Sequence, residues 1–274
     1  MRYHRLVVMG MGCLAFVPSL ASANCNDISR SALQAAVAAA QAANTAGYGL
    51  NMWVTMVDET GAVCHVVNSG SASGDARGHS GDTWLGSRVI SAQKANTANA
   101  FSLDGYTIST ANLYSAVQPG GSLFGLQHSN PINSEDAYQG QPSHYGTAID
   151  PLNGKRIGGV NVFGGGLALY KGGKKIGAIG VSGDTSCTDH AYAWTVRHAL
   201  GANPVAGMAG GKGVGITTVN LDAAGALQTA IGVEGDEMVQ APAGAPVTPY
   251  WAAWSHPACP NNPASSVPTA FVTY

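Results

Sequence analysis

Charged residues are scarce in this chain. Only 10% of its 274 residues are Asp, Glu, Lys or Arg, and the formal net charge is −2 at pH 7. Nucleic acids and anionic membranes are bound by clusters of Lys and Arg, so neither is predicted as a partner. The chain also lacks a membrane-length apolar run after its N-terminal segment, and it has no evident repeat. A small-molecule ligand is the partner that we expect.

The first 23 residues have the pattern of a secretory signal peptide. Arg2 and Arg5 precede an uncharged run over residues 6–20, and an A-x-A cleavage pattern ends at Ala23. We therefore expect a mature chain that starts at Asn24 and is exported to the periplasm or the extracellular space. Residues 24–274 are expected to form a single domain, because their composition shows no linker between two parts.

The cysteines favour disulfides over a metal site. Cys13 leaves with the signal peptide, and the four that remain are an even number in an exported protein. Of the three possible pairings we expect Cys25–Cys64, which ties the first helix to a strand, and Cys187–Cys259, which fixes the C-terminal tail beside a loop. Zinc ligation is the alternative, but the close paired spacing of zinc ligands is missing.

Hydrophobic periodicity and turn residues predict helices and hairpins in the order helix, hairpin, helix, long loop, hairpin, helix. This order predicts an α/β fold in the mixed, α+β, sense: a central antiparallel sheet with helices packed against it. The predicted helices cover residues 28–46, 84–101 and 191–200, and the predicted strands cover residues 50–58, 62–67, 160–170 and 176–182.

The last strand is predicted to lead directly into a helix N-terminus. Ser182, Gly183 and Asp184 form this junction, and several residues between 184 and 189 suit an N-cap. A helix N-terminus has unpaired N–H groups and a positive dipole end, so it can receive an anion or a carboxylate. The same pattern also fits a plain strand-to-helix connection, and both readings stay open.

Three motifs resemble the GlcG/HbpS family, whose members include extracellular heme-binding proteins. They are SAQKANTANAF in a helix, the Gly-rich strand VNVFGGGLALY and the segment IGAIGVSGDTSCTDH, in that order. The resemblance covers about residues 26–201 and implies a profilin-like fold, a possible homo-oligomer and heme as the cofactor. Residues 103–156 are a long insertion relative to the short members, and the Gly/Pro-rich residues 202–274 are an extension.

Heme requires an apolar slot, an axial ligand and a cation near its propionates. His190, Trp194 and Arg197 follow one another on one helix face and could supply all three. His79 is a second axial candidate, in a loop near the ligand-handling surface that the resemblance implies. In the alternative reading, Asp189 and His190 cap the helix and Arg197 is solvated.

Other polar residues are weaker candidates. Lys94 matches the family's Lys-Ala helix motif and could meet a ligand carboxylate, although a solvated or ion-paired lysine is the commoner case. His128 and His144 lie in the inserted loop, where ligand contacts are possible. His65, on a short strand, is expected to be structural.

Two enzyme classes are rejected. Residues 180–184 lack the final Gly of a G-x-S-x-G nucleophile elbow, and the glycines of residues 164–183 do not precede the parallel strand-helix unit of dinucleotide binding. Because no nucleophile–base pair can be placed from the sequence, binding of heme or a related tetrapyrrole without catalysis is favoured. Binding or processing of a small organic acid, and an interaction module docking through the insertion or through Trp251 and Trp254, are the alternatives.

Overall fold

A four-stranded antiparallel sheet lies at the centre of the protein, in the strand order β2-β1-β4-β3. The computed structural model describes residues 25–70, 83–208, 216–218, 235–240 and 256–260. The strands of the sheet are β1 (Trp53–Val57), β2 (Val63–Asn68), β3 (Gly166–Lys171) and β4 (Lys174–Ser182).

Helices cover both faces of this sheet. The helices are α1 (Arg30–Ala43), α2 (Ser87–Phe101), the short α3 (Leu126–Ser129) and α4 (Ser134–Ala137), and α5 (Ser186–Ala199). Helices α1 and α5 pack on one face, where Leu33 and Val37 meet Val54 and Val181. Helix α2 packs on the other face. All five residues of β1 are buried, as expected for a strand that is covered on both sides.

A glycine allows α2 to lie close to the sheet. A Cβ atom at Gly180 of β4 would fall 1.9 Å from the carbonyl oxygen of Ser91 and 2.4 Å from the amide nitrogen of Ala95. Any side chain at this position would push the helix away from the strand.

The predicted fold class is confirmed. The structure is α+β, with the profilin-like arrangement of a central antiparallel sheet and flanking helices. Both predicted disulfides are present, Cys25–Cys64 and Cys187–Cys259. Among the described residues, no helix has the length and apolarity that crossing a bilayer requires.

Several element boundaries differ from the sequence prediction, among them the starts of α2, β3 and α5. Helix α2 begins at Ser87, after Gly86. Strand β3 begins only at Gly166. The amide of Asn161 donates to the Thr97 hydroxyl, and the amide of Phe163 donates to the Asn161 side chain, so neither amide pairs with a strand. Gly165 also has a φ of 115°, which is not a strand conformation. Helix α5 begins at Ser186, five residues earlier than predicted.

The start of α5 corrects the capping interpretation. Thr185 is the N-cap, and its side-chain oxygen accepts a hydrogen bond from the amide of Thr188. Asp189 and His190 therefore lie inside the helix rather than at its cap.

The insertion packs against α2. Arg88 of α2 forms a buried ion pair with Asp150, in which Nε donates to Oδ2 at 3.0 Å. Its guanidinium also lies 3.7 Å from the centre of the Tyr145 ring. The insertion is thus part of the hydrophobic and polar interior on this side of the sheet.

Two described parts of the extension, residues 235–240 and 256–260, form what we call the C-terminal strap. Its strand β6 (Met238–Gln240) pairs in parallel with β5 (Ile216–Thr218). The amide of His256 donates to the carbonyl of Val239 at 2.8 Å, which joins the two parts of the strap.

Candidate ligand-binding pocket

A pocket of about 260 Å3 opens between α2, the end of β4 and the start of α5. Its apolar lining is formed by Trp84, Ile90 and Phe163. Its polar lining includes three of the predicted ligand contacts, Lys94, Ser182 and Asp184, together with Ser87, Ser186 and Asp189. The structure therefore brings residues from three separate motifs of the sequence to one cavity.

A buried ion pair joins α2 to α5 in this pocket. Lys94 Nζ lies 2.7 Å from Asp189 Oδ2 and donates to the carbonyl of Val181 at 2.9 Å. Burial lowers the pKa of Lys94 and raises that of Asp189 to about 6, while each charge opposes the shift of the other. Lys94 is therefore an ion-pair partner and not a solvated lysine.

The backbone around Gly165 leaves space for this ion pair. A Cβ atom at Gly165 would lie 3.1 Å from Asp189 Cβ and 3.3 Å from Lys94 Nζ. The Gly-rich stretch before β3 thus permits a charged pair where a larger residue would collide with it.

Asp184 fixes the loop between α1 and β1. Its carboxylate accepts hydrogen bonds from the amides of Tyr48 at 2.8 Å, Leu50 at 3.3 Å and Thr185 at 2.6 Å. Its own amide donates to Asp189 Oδ1 at 2.9 Å. The neighbouring Gly183 packs on the backbone of residues 51–52. Asp184 therefore has a structural role at the edge of the pocket.

The protein's own groups satisfy donors at the start of α5. The amide of Cys187 donates to Cys259 Sγ at 3.2 Å, and the amide of Asp189 donates to the carbonyl of Thr185 at 2.8 Å. The amide of Thr188 donates to the Thr185 side chain. These three amides are not available for a ligand anion. For them the junction is a plain strand-to-helix connection.

His190, Trp194 and Arg197 lie together on α5, but outside this pocket. The His190 and Trp194 ring centres are 6.3 Å apart, and the Arg197 guanidinium lies 4.6 Å from the Trp194 ring centre. All three side chains are buried, His190 at 0% exposure. Arg197 is not solvated: it forms an ion pair of 2.7 Å with Asp236 of the strap.

This buried cluster does not fit heme in the observed conformation. A Cβ atom at Gly164 would lie 2.2 Å from Met238 Cε and 3.0 Å from His190 Cβ, which shows how closely the strap packs beside His190. An axial histidine needs an open apolar slot beside it, and a propionate needs an available cation. Met238 of the strap packs beside His190, where the apolar slot would have to be, and Asp236 already neutralises the charge of Arg197.

The other histidines are dispersed. His79 lies outside the described residues, as do Trp251 and Trp254. His128 is exposed on α3, and His144 ends a 3-10 turn over Pro142–His144. His65 Nε2 lies 3.1 Å from the carbonyl oxygen of Ile28, in agreement with its expected structural role.

A second polar pair beside this pocket was not indicated by any motif of the sequence. Ser186 Oγ lies 3.1 Å from His256 Nε2, and His256 Nδ1 lies 2.7 Å from the carbonyl oxygen of Pro257. The two residues are far apart in the chain, but Ser186 adjoins Cys187 and His256 lies three residues before Cys259. The predicted disulfide was therefore the signal that could have placed them together.

These features define an α+β protein with one pocket beside a buried Lys–Asp pair. A family model described as haem-degrading protein HbpS-like matches residues 26–197, more than half of the chain. The chain therefore belongs to the HbpS-like family, and the resemblance in its sequence motifs is confirmed.

Three solved structures are similar to parts of this chain. The chain is 23% identical to Klebsiella pneumoniae protein ORFY, with a TM-score of 0.41 over 65% of this chain and 90% of that one. A PduOC:heme complex matches at 23% identity and a TM-score of 0.42, over 63% and 92%. A double mutant of Streptomyces reticuli HbpS matches at 16% identity and 0.40, over 72% and 99%. No curated protein matches.

Proposed function

We propose that this chain is an exported protein that binds heme or a related tetrapyrrole and does not degrade it. The supporting observation is the pocket at the start of α5, with its half-exposed aromatic rim, in a chain of the HbpS-like family. Export to the periplasm or the extracellular space is part of the proposal, and it agrees with two disulfides in the mature chain.

The rim suits a flat aromatic ligand. Trp84 is 53% exposed and Phe163 is 45% exposed, although both are large apolar side chains. Covering such surface contributes about 25 cal/mol for each Å2 removed from water, and aromatic faces favour stacked or tilted contacts with another ring. Because the cavity holds only about 260 Å3, it can receive one edge of a macrocycle while the rim contacts the ring.

Iron ligation needs a residue from elsewhere. Within the described lining of the pocket there is no His, Met or Tyr. His79 precedes the rim residue Trp84 by five positions, so it is the first candidate for the axial ligand. His190 is the second, and its use requires the strap to move away. Iron held in this way would supply the redox and ligand-binding chemistry of heme.

Hemin titration of the mature, oxidised protein tests the proposal. We expect a saturable, shifted Soret band at a defined stoichiometry. His79→Ala should change the band or weaken binding, and His190→Ala should do so if the strap opens. The matched control is His128→Ala, which removes an exposed histidine on α3. A featureless titration, or a band that none of these substitutions alters, contradicts heme ligation by these histidines.

A homo-oligomer is the second part of the proposal, supported by family membership alone. Light scattering coupled to size-exclusion chromatography measures it directly. A mass above that of one chain supports assembly, and a monomer at all concentrations contradicts it.

Binding of a small organic acid is the second candidate function. The cavity has the size of a small molecule, and Lys94, Ser182 and Ser186 offer groups that can contact a carboxylate. This candidate predicts that small carboxylates raise the melting temperature and that His79→Ala and His190→Ala leave this effect unchanged. Carboxylates that give no shift at millimolar concentration would exclude it.

A further inference from the structure

We propose that Ser186, which lines the pocket, and the buried His256 beside it form a nucleophile–base pair, and that the pair hydrolyses carboxylic esters with a small apolar acyl group. Ser186 lines the pocket, and its hydroxyl lies 3.1 Å from His256 Nε2. A serine hydroxyl is activated for attack when it lies within hydrogen-bond reach of a histidine and a third group orients the histidine ring.

The hydrogen bonds fix the tautomer of His256. A carbonyl oxygen only accepts, so the 2.7 Å contact with Pro257 requires Nδ1 to carry the proton. Nε2 of the neutral ring then has its lone pair free to accept the hydrogen bond from the Ser186 hydroxyl. Burial lowers the pKa of His256 to about 4, so the ring is neutral near pH 7 with Nε2 unprotonated. The same shift makes it a weaker base than an ordinary imidazole.

The helix dipole favours negative charge at the serine. Ser186 is the first residue of α5, a helix of 14 residues, so its hydroxyl lies at the positive end of the dipole. Lys94 lines the same cavity, but Asp189 balances its charge. Ile90 and Phe163 provide an apolar wall, and the cavity volume of about 260 Å3 limits the acyl group to a small one.

The strap positions the base. Cys259 is bonded to Cys187, which is the neighbour of Ser186, and His256 lies three residues before Cys259. The Tyr114 and Phe163 rings lie 5.3 Å and 6.5 Å from the His256 ring, between centres. The disulfide and these rings hold the imidazole against the serine hydroxyl.

The reaction balances without a further reactant except water. Ser186 Oγ bonds to the ester carbonyl carbon while its proton passes to His256 Nε2. The C–O bond to the alcohol then breaks, and the alcohol leaves with that proton. Water next attacks the acyl-serine and gives a proton to Nε2, which returns it to Ser186 Oγ as the acid is released. The sum is ester plus water giving acid plus alcohol.

An alkyl fluorophosphonate tests the pair, because it phosphonylates activated serines and releases fluoride. On the full mature, oxidised chain we expect a single mass addition at Ser186, together with hydrolysis of p-nitrophenyl acetate. Ser186→Ala should abolish both. The matched control is Ser134→Ala, which changes an exposed serine that is also the first residue of a helix, α4.

The role of His256 has its own readouts. His256→Gln should slow phosphonylation of Ser186 by about a hundredfold or more, as expected for loss of a general base. Mass analysis without reductant shows whether Cys187–Cys259 stays closed in this variant. In the wild type the labelling rate should be constant from pH 6 to 8 and fall only near pH 4.

Two results would overturn the proposal: absence of an adduct at Ser186, or equal labelling rates with and without His256 in proteins whose disulfide is intact. Both are separate from the heme proposal, because the hemin titration of the wild-type protein is read independently of its esterase activity.

Discussion

The two ends of α5 each contain a buried ion pair, but within the described residues they differ: one pair lines a pocket and the other is covered by the strap. Near the start of the helix Asp189 pairs with Lys94, and these residues line the pocket. Near its end Arg197 pairs with Asp236, with both side chains at 0% exposure under the strap. We call the Lys94–Asp189 end of the helix the open end and the Arg197–Asp236 end the closed end.

The origin of the partners explains this difference. Lys94 and Asp189 both lie within residues 26–197, the part that matches the family model. Asp236 comes from the extension beyond it. The family core therefore supplies the accessible pocket, while the extension covers the face of α5 that carries His190, Trp194 and Arg197.

The largest effect should come from breaking the pair at the open end. Lys94→Met leaves the Asp189 carboxylate buried without its cation, which typically costs about 3–5 kcal/mol of the free energy of unfolding. Urea denaturation measures the loss. Lys171→Met is the control, because Lys171 is 67% exposed in its pair with Asp27. Equal stabilities of the two variants would contradict the structural importance of the Lys94–Asp189 pair.

Cutting the strap's disulfide should loosen the strap where it is tied to the start of α5. Replacing Cys187 and Cys259 with Ser removes a link across 72 residues, and a disulfide typically contributes about 2–4 kcal/mol. Limited proteolysis should then cut the extension faster while the sheet domain stays folded. The control removes Cys25–Cys64, which does not touch the strap. An extension that remains equally protected in both double variants would contradict the role of the disulfide.

Acid should loosen the strap as well. The folded-state pKa of His256 is lowered by burial to about 4, so the docked strap favours the neutral ring. The free energy of unfolding is therefore unaffected by this ring above the unfolded-state pKa of about 6.5. It decreases as the pH falls toward 4, by roughly 2 kcal/mol at pH 5. Proteolysis of the strap should therefore quicken between pH 6.5 and 4.

Over the same pH range, Asp189 changes the free energy of unfolding in the opposite direction. Its folded-state pKa is raised to about 6, so this carboxyl destabilises the fold as the pH rises from 4 to 6. Local proteolysis of the strap separates the two effects, because Asp189 belongs to the family core. His256→Gln should abolish the acid dependence of strap cleavage, and an unchanged dependence would assign it to another group.

The smallest effect is expected at the surface. Asp27 pairs with Lys171 at 3.3 Å on an exposed part of the chain. Such pairs contribute about 0–1 kcal/mol, so Asp27→Asn should leave thermal unfolding and strap protection nearly unchanged. A loss comparable to that of Lys94→Met would remove the contrast between surface and buried pairs.

Local patterns were sufficient to predict the sheet, the flanking helices and both disulfides. They misplaced the starts of β3 and α5, because strand and helix propensity cannot show that Thr97 accepts the amide of Asn161 or that Thr185 caps the helix. Tertiary contacts decide those boundaries.

The candidate site was predicted less completely. The motifs indicated Lys94, Ser182 and Asp184, which do line the pocket. They did not indicate Asp189 as the partner of Lys94, since the two residues are far apart in sequence. The Arg197–Asp236 pair and the Ser186–His256 contact depend on where the extension docks, and no periodicity in the sequence encodes that position.

Heme binding at this pocket is tested most sharply by a hemin titration that compares the wild type with a Trp84→Ala/Phe163→Ala double variant. We expect a saturable Soret shift in the wild type, at least about tenfold weaker binding in the double variant, and no change for Phe124→Ala, which removes an exposed aromatic side chain elsewhere. Failure of the wild type to saturate, or equal affinities in all three proteins, would contradict binding at this pocket.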